Sequence, residues 1–198
     1  MLLTRRFWFS HIPKTGGSFI KNVLMKLEPE HINLGAHLAL SQLPDDRPFT
    51  FSFVRHPVTR TKSWWAEYWI RMRHRRHIWH HPEMQILRDR SCESLGDAVD
   101  ALLHHPEYLA SAIYPEFVGS AERPVDFVGK LENMDSDLPL VLLSLGFLES
   151  DISGAMMLAK KAHETDYSCV PMNCSPALMR ELKSAEDSAV RRFGYAED

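Results

Sequence analysis

The sequence predicts an α/β fold with a central parallel sheet of about four or five strands flanked by helices. Three observations carry this. Short apolar runs of strand length recur at residues 5–12, 49–54 and 125–131. The segments between them place apolar residues at helical spacing. Strands alternating with helices are the pattern of a parallel sheet covered on both faces.

Residues 5–12 form an aromatic and apolar run, read as a buried strand. The turn at 13–17, PKTGG, breaks it. Phe19, Ile20, Val23, Leu24 and Leu27 then repeat at helical spacing, so a helix starts within 15–18 and ends before Pro29. FTFSFV at 49–54 is the second strand, ended by Arg55, His56 and Pro57. Proline is favoured at the first helical position, which predicts a helix from Pro57 toward Arg76. A shorter helix follows at 95–103. VDFVGKL at 125–131 is the third strand, 135–145 is a helix closed by Gly146, and 176–193 is the last helix. No repeat, low-complexity tract or linker divides the 198 residues, so a single domain over 1–198 is expected.

Composition excludes several classes. The net charge of −3 gives no global case for binding nucleic acid or an anionic membrane. No apolar run approaches the roughly 20 residues that span a bilayer. In MLLTRRFWFSHIP the arginines precede only a short apolar stretch with no small-residue cleavage site, so no secretory signal is expected. Cys92, Cys169 and Cys174 are odd in number and lack a CxxC pair. Free thiols in a reducing compartment fit better than a disulfide framework, and a cytoplasmic location is expected. A zinc site on Cys169 and Cys174 lacks further ligands at a suitable spacing.

The stretch HIPKTGGS, residues 11–18, is a strand–turn–helix junction rich in donors. Such a junction aims backbone N–H groups at one point, where the helix N-terminus adds partial positive charge. Gly16 and Gly17 allow positive φ and close approach of a ligand. Lys14 supplies a full charge, and Thr15 and Ser18 supply hydroxyls. Together they suit a phosphate or a sulfate, against the plainer reading of a turn with a surface lysine. The lysine precedes the glycines, so the loop does not follow the G-x-x-x-x-G-K-[ST] order of nucleotide triphosphatases.

About forty residues later stands Arg55-His-Pro57-Val-Thr-Arg60-Thr-Lys-Ser63. Arg55 leaves the carboxyl end of a strand and can grip a phosphate bidentately. Pro57 opens the helix, and Ser63 lies about a turn and a half inside it, able to add a hydroxyl. Ligands of open parallel sheets bind at this edge.

P-K-T-G-G-S after a strand resembles the 5′-phosphosulfate loop of sulfotransferases that use 3′-phosphoadenosine 5′-phosphosulfate (PAPS). HIPKTGGS is closest to the form in carbohydrate sulfotransferases of the heparan 2-O and related groups. The R-x-P-x-x-R-x-x-S stretch is similar to the family's 3′-phosphate loop. Residues 127–138, 173–175 and 191–195 resemble family segments more weakly. The chain is short, and no anchor or stem like that of the Golgi members is expected. The resemblance implies a P-loop-NTPase-like three-layer fold. It implies in-line transfer of a sulfuryl group from PAPS to a hydroxyl of a carbohydrate or glycoconjugate, with 3′-phosphoadenosine 5′-phosphate (PAP) as product and no metal. Lys14, Thr15, Gly16, Gly17, Ser18, Arg55 and Ser63 would bind the nucleotide, and Lys14 would also act in catalysis.

The group uses a histidine or glutamate base between or soon after the two loops. His37, in NLGAHLAL, is the candidate, with His31 and Glu28 as rivals. His11 and His56 flank the loops and are read as fixing their geometry. The segment 63–81 is basic and aromatic. It is read as a core-facing aromatic stripe with a solvated basic face, as an acceptor platform, or as a metal site from His74, His77, His80 and His81. Two other functions stay open: a small kinase-like phosphotransferase with an ATP-type donor, and a non-catalytic nucleotide- or glycan-binding module. The first needs a Mg²⁺-holding acid at a strand end, which has no evident candidate.

Overall fold

The structure, a computed structural model, describes residues 1–34, 37–44, 46–74, 81–120, 123–159 and 166–196. The chain begins with β1 (Leu2–Leu3), β2 (Phe7–Ser10), α1 (Gly17–Leu27), β3 (Ile32–Asn33) and β4 (Phe49–Val54). Four helices follow: α2 (Pro57–Arg73), α3 (Pro82–Asp89), α4 (Leu95–Leu103) and α5 (Ala110–Val118). Then come β5 (Phe127–Lys130), α6 (Met134–Ser144), α7 (Glu149–Leu158), α8 (Pro176–Ala185) and α9 (Asp187–Arg192). They form two compact units, Met1–Arg55 with Tyr114–His163, and His56–Ile113 with Glu164–Asp198.

The first unit holds a five-stranded sheet in the order β3-β1-β2-β4-β5. β2, β4 and β5 are parallel, with Ser10 opposite Ser52 and Val54 opposite Lys130. β1 runs antiparallel to both β2 and β3, so the sheet is mixed rather than purely parallel as expected. The cause is the spacing. Parallel neighbours need a crossover connection of about a dozen residues or more, whereas Leu3 and Phe7 are joined by a tight turn. Thr4 closes that turn: its Oγ1 donates to Phe7 O (2.8 Å) and accepts from the backbone N–H groups of Arg6 (3.1 Å) and Phe7 (2.9 Å).

Alternation along the strands sends Phe7, Phe9, Phe51 and Phe53 to one face. There they pack with Ile20, Val23 and Leu24 of α1, Leu138, Val141 and Leu142 of α6, and Ile152 of α7. Each fully buried phenylalanine contributes about 1.5–3 kcal/mol. Gly129 of β5 lies under the Phe53 ring, where an added Cβ would stand 2.4 Å from Cε1. The intervening Ser10, Thr50 and Ser52 are fully buried polar residues. Ser52 Oγ donates to Ser10 O (2.8 Å), and Ser10 Oγ donates to Phe117 O (3.1 Å).

The second unit is helical. Trp64, Trp65 and Tyr68 of α2 pack with Met84 and Leu87 of α3, Leu95, Val99 and Leu102 of α4, and Leu182 of α8. The helices α3, α5 and α7 were not among the expected elements. The single helix expected over 176–193 is two, interrupted at Glu186. That residue is fully buried, and its carboxylate accepts from the backbone N–H groups of Ala110 (2.8 Å) and Ser111 (2.7 Å). It thereby satisfies donors at the start of α5. α2 ends at Arg73, and residues 75–80 of the expected basic stretch lie outside the described residues.

Candidate active site

β2 delivers the chain into the loop 11–16 at its carboxyl end. Thr15 is fully buried and its Oγ1 donates to Ile12 O at 2.9 Å, so this hydroxyl shapes the loop from within. Lys14 adopts φ 68° and Gly16 φ 80°. Among the described residues only Lys14 and Ser91 combine a side chain with a positive φ. For lysine this is uncommon backbone, of the kind that gathers at functional turns. Left-handed residues alternating with ordinary ones turn successive N–H groups toward one concavity, an anion nest.

α1 starts at that concavity. Its N-cap is Gly16; among the described residues no side chain caps it, and its first turn holds no acid. The first intrahelical bonds run from the N–H groups of Phe19 (3.0 Å) and Ile20 (3.2 Å) to Gly16 O. The N–H groups of Gly17 and Ser18 precede them, at the positive end of the helix dipole. Packing also selects the glycines. A Cβ on Gly17 would meet His11 Cδ2 at 1.7 Å, and one on Gly16 would meet Leu131 Cδ1 at 2.7 Å.

His11 is 8% exposed and lies between two rings, with centroids 5.9 Å from Phe9 and 4.5 Å from His37. Its carbonyl receives a 2.7 Å hydrogen bond from His37 Nδ1. A carbonyl can only accept, so the proton is on Nδ1, and the neutral ring carries its lone pair on Nε2. His37 is therefore brought beside the loop 11–16 and held in one tautomer. The rivals are placed elsewhere. Eleven-residue α1 is about 16 Å long, and Glu28 and His31 follow its far end. There His31 Nδ1 donates to Glu28 O (2.8 Å), and the Glu28 carboxylate lies 3.8 Å from Arg6 Nη1.

Arg55 stands one residue beyond β4, half-buried, at the same sheet edge as the loop, because β2 and β4 are parallel neighbours. Tyr114 Oη accepts from Arg55 N (3.3 Å) and donates to Arg55 O (2.5 Å). Sequence reading missed Tyr114, which has no motif around it.

In the second unit, Ser63 is 3% exposed within α2. Arg60, from the same stretch as Arg55, has a different environment. It is 1% exposed, its Nη2 lies 3.4 Å from Glu83 Oε1, and its Nη1 donates to Tyr108 O (3.3 Å). Arg60 belongs to a buried ion pair. His81, close by, is pushed below the usual histidine range by burial, with Glu83 pulling the other way. His56 precedes α2, and its ring meets that of Tyr195 edge-on at 5.2 Å.

The aromatic stripe of α2 faces the core: Trp64, Trp65 and Tyr68 are 0–3% exposed, and Trp65 Nε1 donates to Pro171 O (2.9 Å). These rings cannot stack on a sugar. Trp69 is half-buried, and its Nε1 donates to Cys169 O (3.0 Å). His77, Trp79 and His80 lie outside the described residues. Among the described residues no group of three or more His, Cys, Asp or Glu could hold a metal ion, and no helix is long and apolar enough to cross a membrane. An open groove of about 460 Å³ in the second unit, lined by Ser94, Asp97, Asp100, Asn173, Ser175 and Leu178 among others, contains none of the expected site residues.

The start of α1, the left-handed Lys14 and the tautomer-fixed His37 stand at the carboxyl end of a parallel strand in an α/β fold, an arrangement whose donors could hold an oxyanion. The sequence pattern of the sulfotransferase family matches residues 4–183, and the chain belongs to that family. It is a transferase whose reaction class is sulfuryl transfer. No curated protein and no solved structure matches the chain.

Proposed function

We propose that the protein moves the sulfuryl group of PAPS to a hydroxyl of a carbohydrate or glycoconjugate. The observation that carries this is the loop 11–18, which holds the left-handed Lys14 and the start of α1 and whose His11 carbonyl is bonded to His37. The parallel β2–β4–β5 core, with its loop and helix, fits a P-loop-like layering. The nest fits the dianionic 5′-phosphosulfate in charge and in donors.

PAPS supplies an activated sulfuryl group whose leaving group is a nucleotide 5′-phosphate. The N–H groups of Gly17 and Ser18, the Ser18 hydroxyl and the α1 dipole hold the anion, while Thr15, bonded to Ile12 O, keeps the loop in shape. Lys14 offsets charge growing on the bridging oxygen. His37 Nε2 takes the acceptor's proton, and its Nδ1–H stays on the His11 carbonyl, which favours the imidazolium formed. Arg55 takes the 3′-phosphate bidentately. Ser63 is assigned the same phosphate on the sequence resemblance alone. The glycan acceptor rests on the HIPKTGG form of the loop.

The test is transfer of labelled sulfate from PAPS onto a panel of glycans, with phenols and simple alcohols alongside. Label on a glycan hydroxyl, absent with Lys14→Ala, is expected. Label on phenols or alcohols alone would overturn the carbohydrate assignment. No transfer from PAPS, with phosphate transferred from ATP instead, would overturn the donor.

A further inference from the structure

We infer that Tyr114 is a positioning residue for nucleotide recognition, holding the main chain of Arg55 so that its guanidinium is presented in one orientation; this rests on the assignment of Arg55 to the 3′-phosphate. The last ladder pair of β4 is Val54 with Lys130, so the Arg55 peptide groups lie one residue past the sheet. Backbone groups at such a point need partners. The Tyr114 hydroxyl serves both, accepting from Arg55 N at 3.3 Å and donating to Arg55 O at 2.5 Å, much as a neighbouring strand would.

The clamp is itself anchored. Tyr114 is fully buried. Three residues on, the Phe117 carbonyl accepts from Ser10 Oγ (3.1 Å), and Ser10 O accepts from Ser52 Oγ (2.8 Å). One stretch of α5 is thus tied to the strand that feeds the Lys14 loop and to the strand that feeds Arg55. Two residues after Arg55 comes Pro57, whose ring fixes φ, so little of the chain can absorb a rotation at Arg55. A bidentate grip on phosphate depends on such orientation, since the guanidinium fork is planar and rigid.

Tyr114→Phe removes the hydroxyl and keeps the ring. PAP and adenosine 5′-monophosphate, which differ only in the 3′-phosphate, are titrated calorimetrically into wild type, Tyr114→Phe, Arg55→Ala and the double variant. Tyr114→Phe should weaken PAP about tenfold, the scale of one or two lost hydrogen bonds, and leave the monophosphate at its wild-type affinity. KM for PAPS should rise while KM for the acceptor stays. With Arg55→Ala present, Tyr114→Phe should cost no further PAP affinity, because the two act as one unit. A Tyr114 hydroxyl that serves only the fold predicts a lower Tm with equal effects on both nucleotides, or none; either result overturns the inference. Additive losses in the double variant overturn it too. A wild type that binds the two nucleotides equally well overturns the Arg55 assignment itself, and the inference with it.

Discussion

His37 Nδ1 donates to the main-chain carbonyl of His11 across 2.7 Å, and the two imidazole centroids stand 4.5 Å apart. One bond thereby fixes the ring's tautomer and ties it to the loop that carries Lys14. If Nε2 is the base, kcat/KM rises with pH across the range in which an imidazole loses its proton, ordinarily about 6.5. His37→Ala and His37→Gln should both abolish that rise and lower kcat by about 10² to 10⁴, because an amide cannot take up the proton. PAP affinity should hold. A pH–rate curve of wild-type shape in either variant returns His37 to a packing role.

Lys14 sits at φ 68°, where a Cβ is strained. Lys14→Ala and Lys14→Gly both remove the charge and should lose most turnover with the fold retained. They should differ in stability: glycine is at ease in this region, so Lys14→Gly should exceed Lys14→Ala by about 1 kcal/mol. Chemical denaturation of the pair measures this. The reverse order would mean that the loop relaxes out of the left-handed turn.

Gly17 is required by a neighbour. A Cβ there would lie 2.0 Å from His11 Nε2. Gly17→Ala should push the His11 ring, disturb the segment whose carbonyl seats His37, and cost about 1–3 kcal/mol of stability as overpacking does. Turnover should fall further than stability alone explains. Full activity in a correctly folded Gly17→Ala would remove the His11–Gly17 contact from the account.

Glu186 gives a pH prediction for stability. Burial raises its carboxyl above the ordinary 4.5, opposed by the N–H groups of Ala110 and Ser111. A raised value means the folded chain holds the proton more tightly than the unfolded one. The stabilisation is then fully present below the unfolded value and lost as pH rises through the folded one. The Tm advantage of wild type over Glu186→Gln should therefore shrink from acid pH toward neutrality. An advantage that grows with pH would mean that the N–H donors outweigh burial.

Much of the first unit, and the helix start that opens the second, was legible because the signals are local. The PKTGG turn, the strand FTFSFV and Pro57 after Arg55 each announce themselves within a few residues, and the structure places them as read. β1 and β3 have two residues each, too few for any periodicity, and they are what make the sheet mixed. Tyr114 and Arg55 are 59 residues apart, and Glu186 is 76 from Ala110, so neither contact leaves a trace in a sequence window. Arg55 and Arg60 look alike in the motif. Only the fold reveals that Arg60 is buried against Glu83 while Arg55 stands half-buried at the sheet edge.

The donor is tested most directly by thermal unfolding with PAP, and separately with ATP and Mg²⁺, at matched concentrations. PAP at about a hundred times its Kd should stabilise the fold by about 2.7 kcal/mol, a clear rise in Tm, and ATP with Mg²⁺ should give a smaller rise. An equal or larger rise with ATP and Mg²⁺ would contradict the PAPS assignment and point to phosphoryl transfer instead.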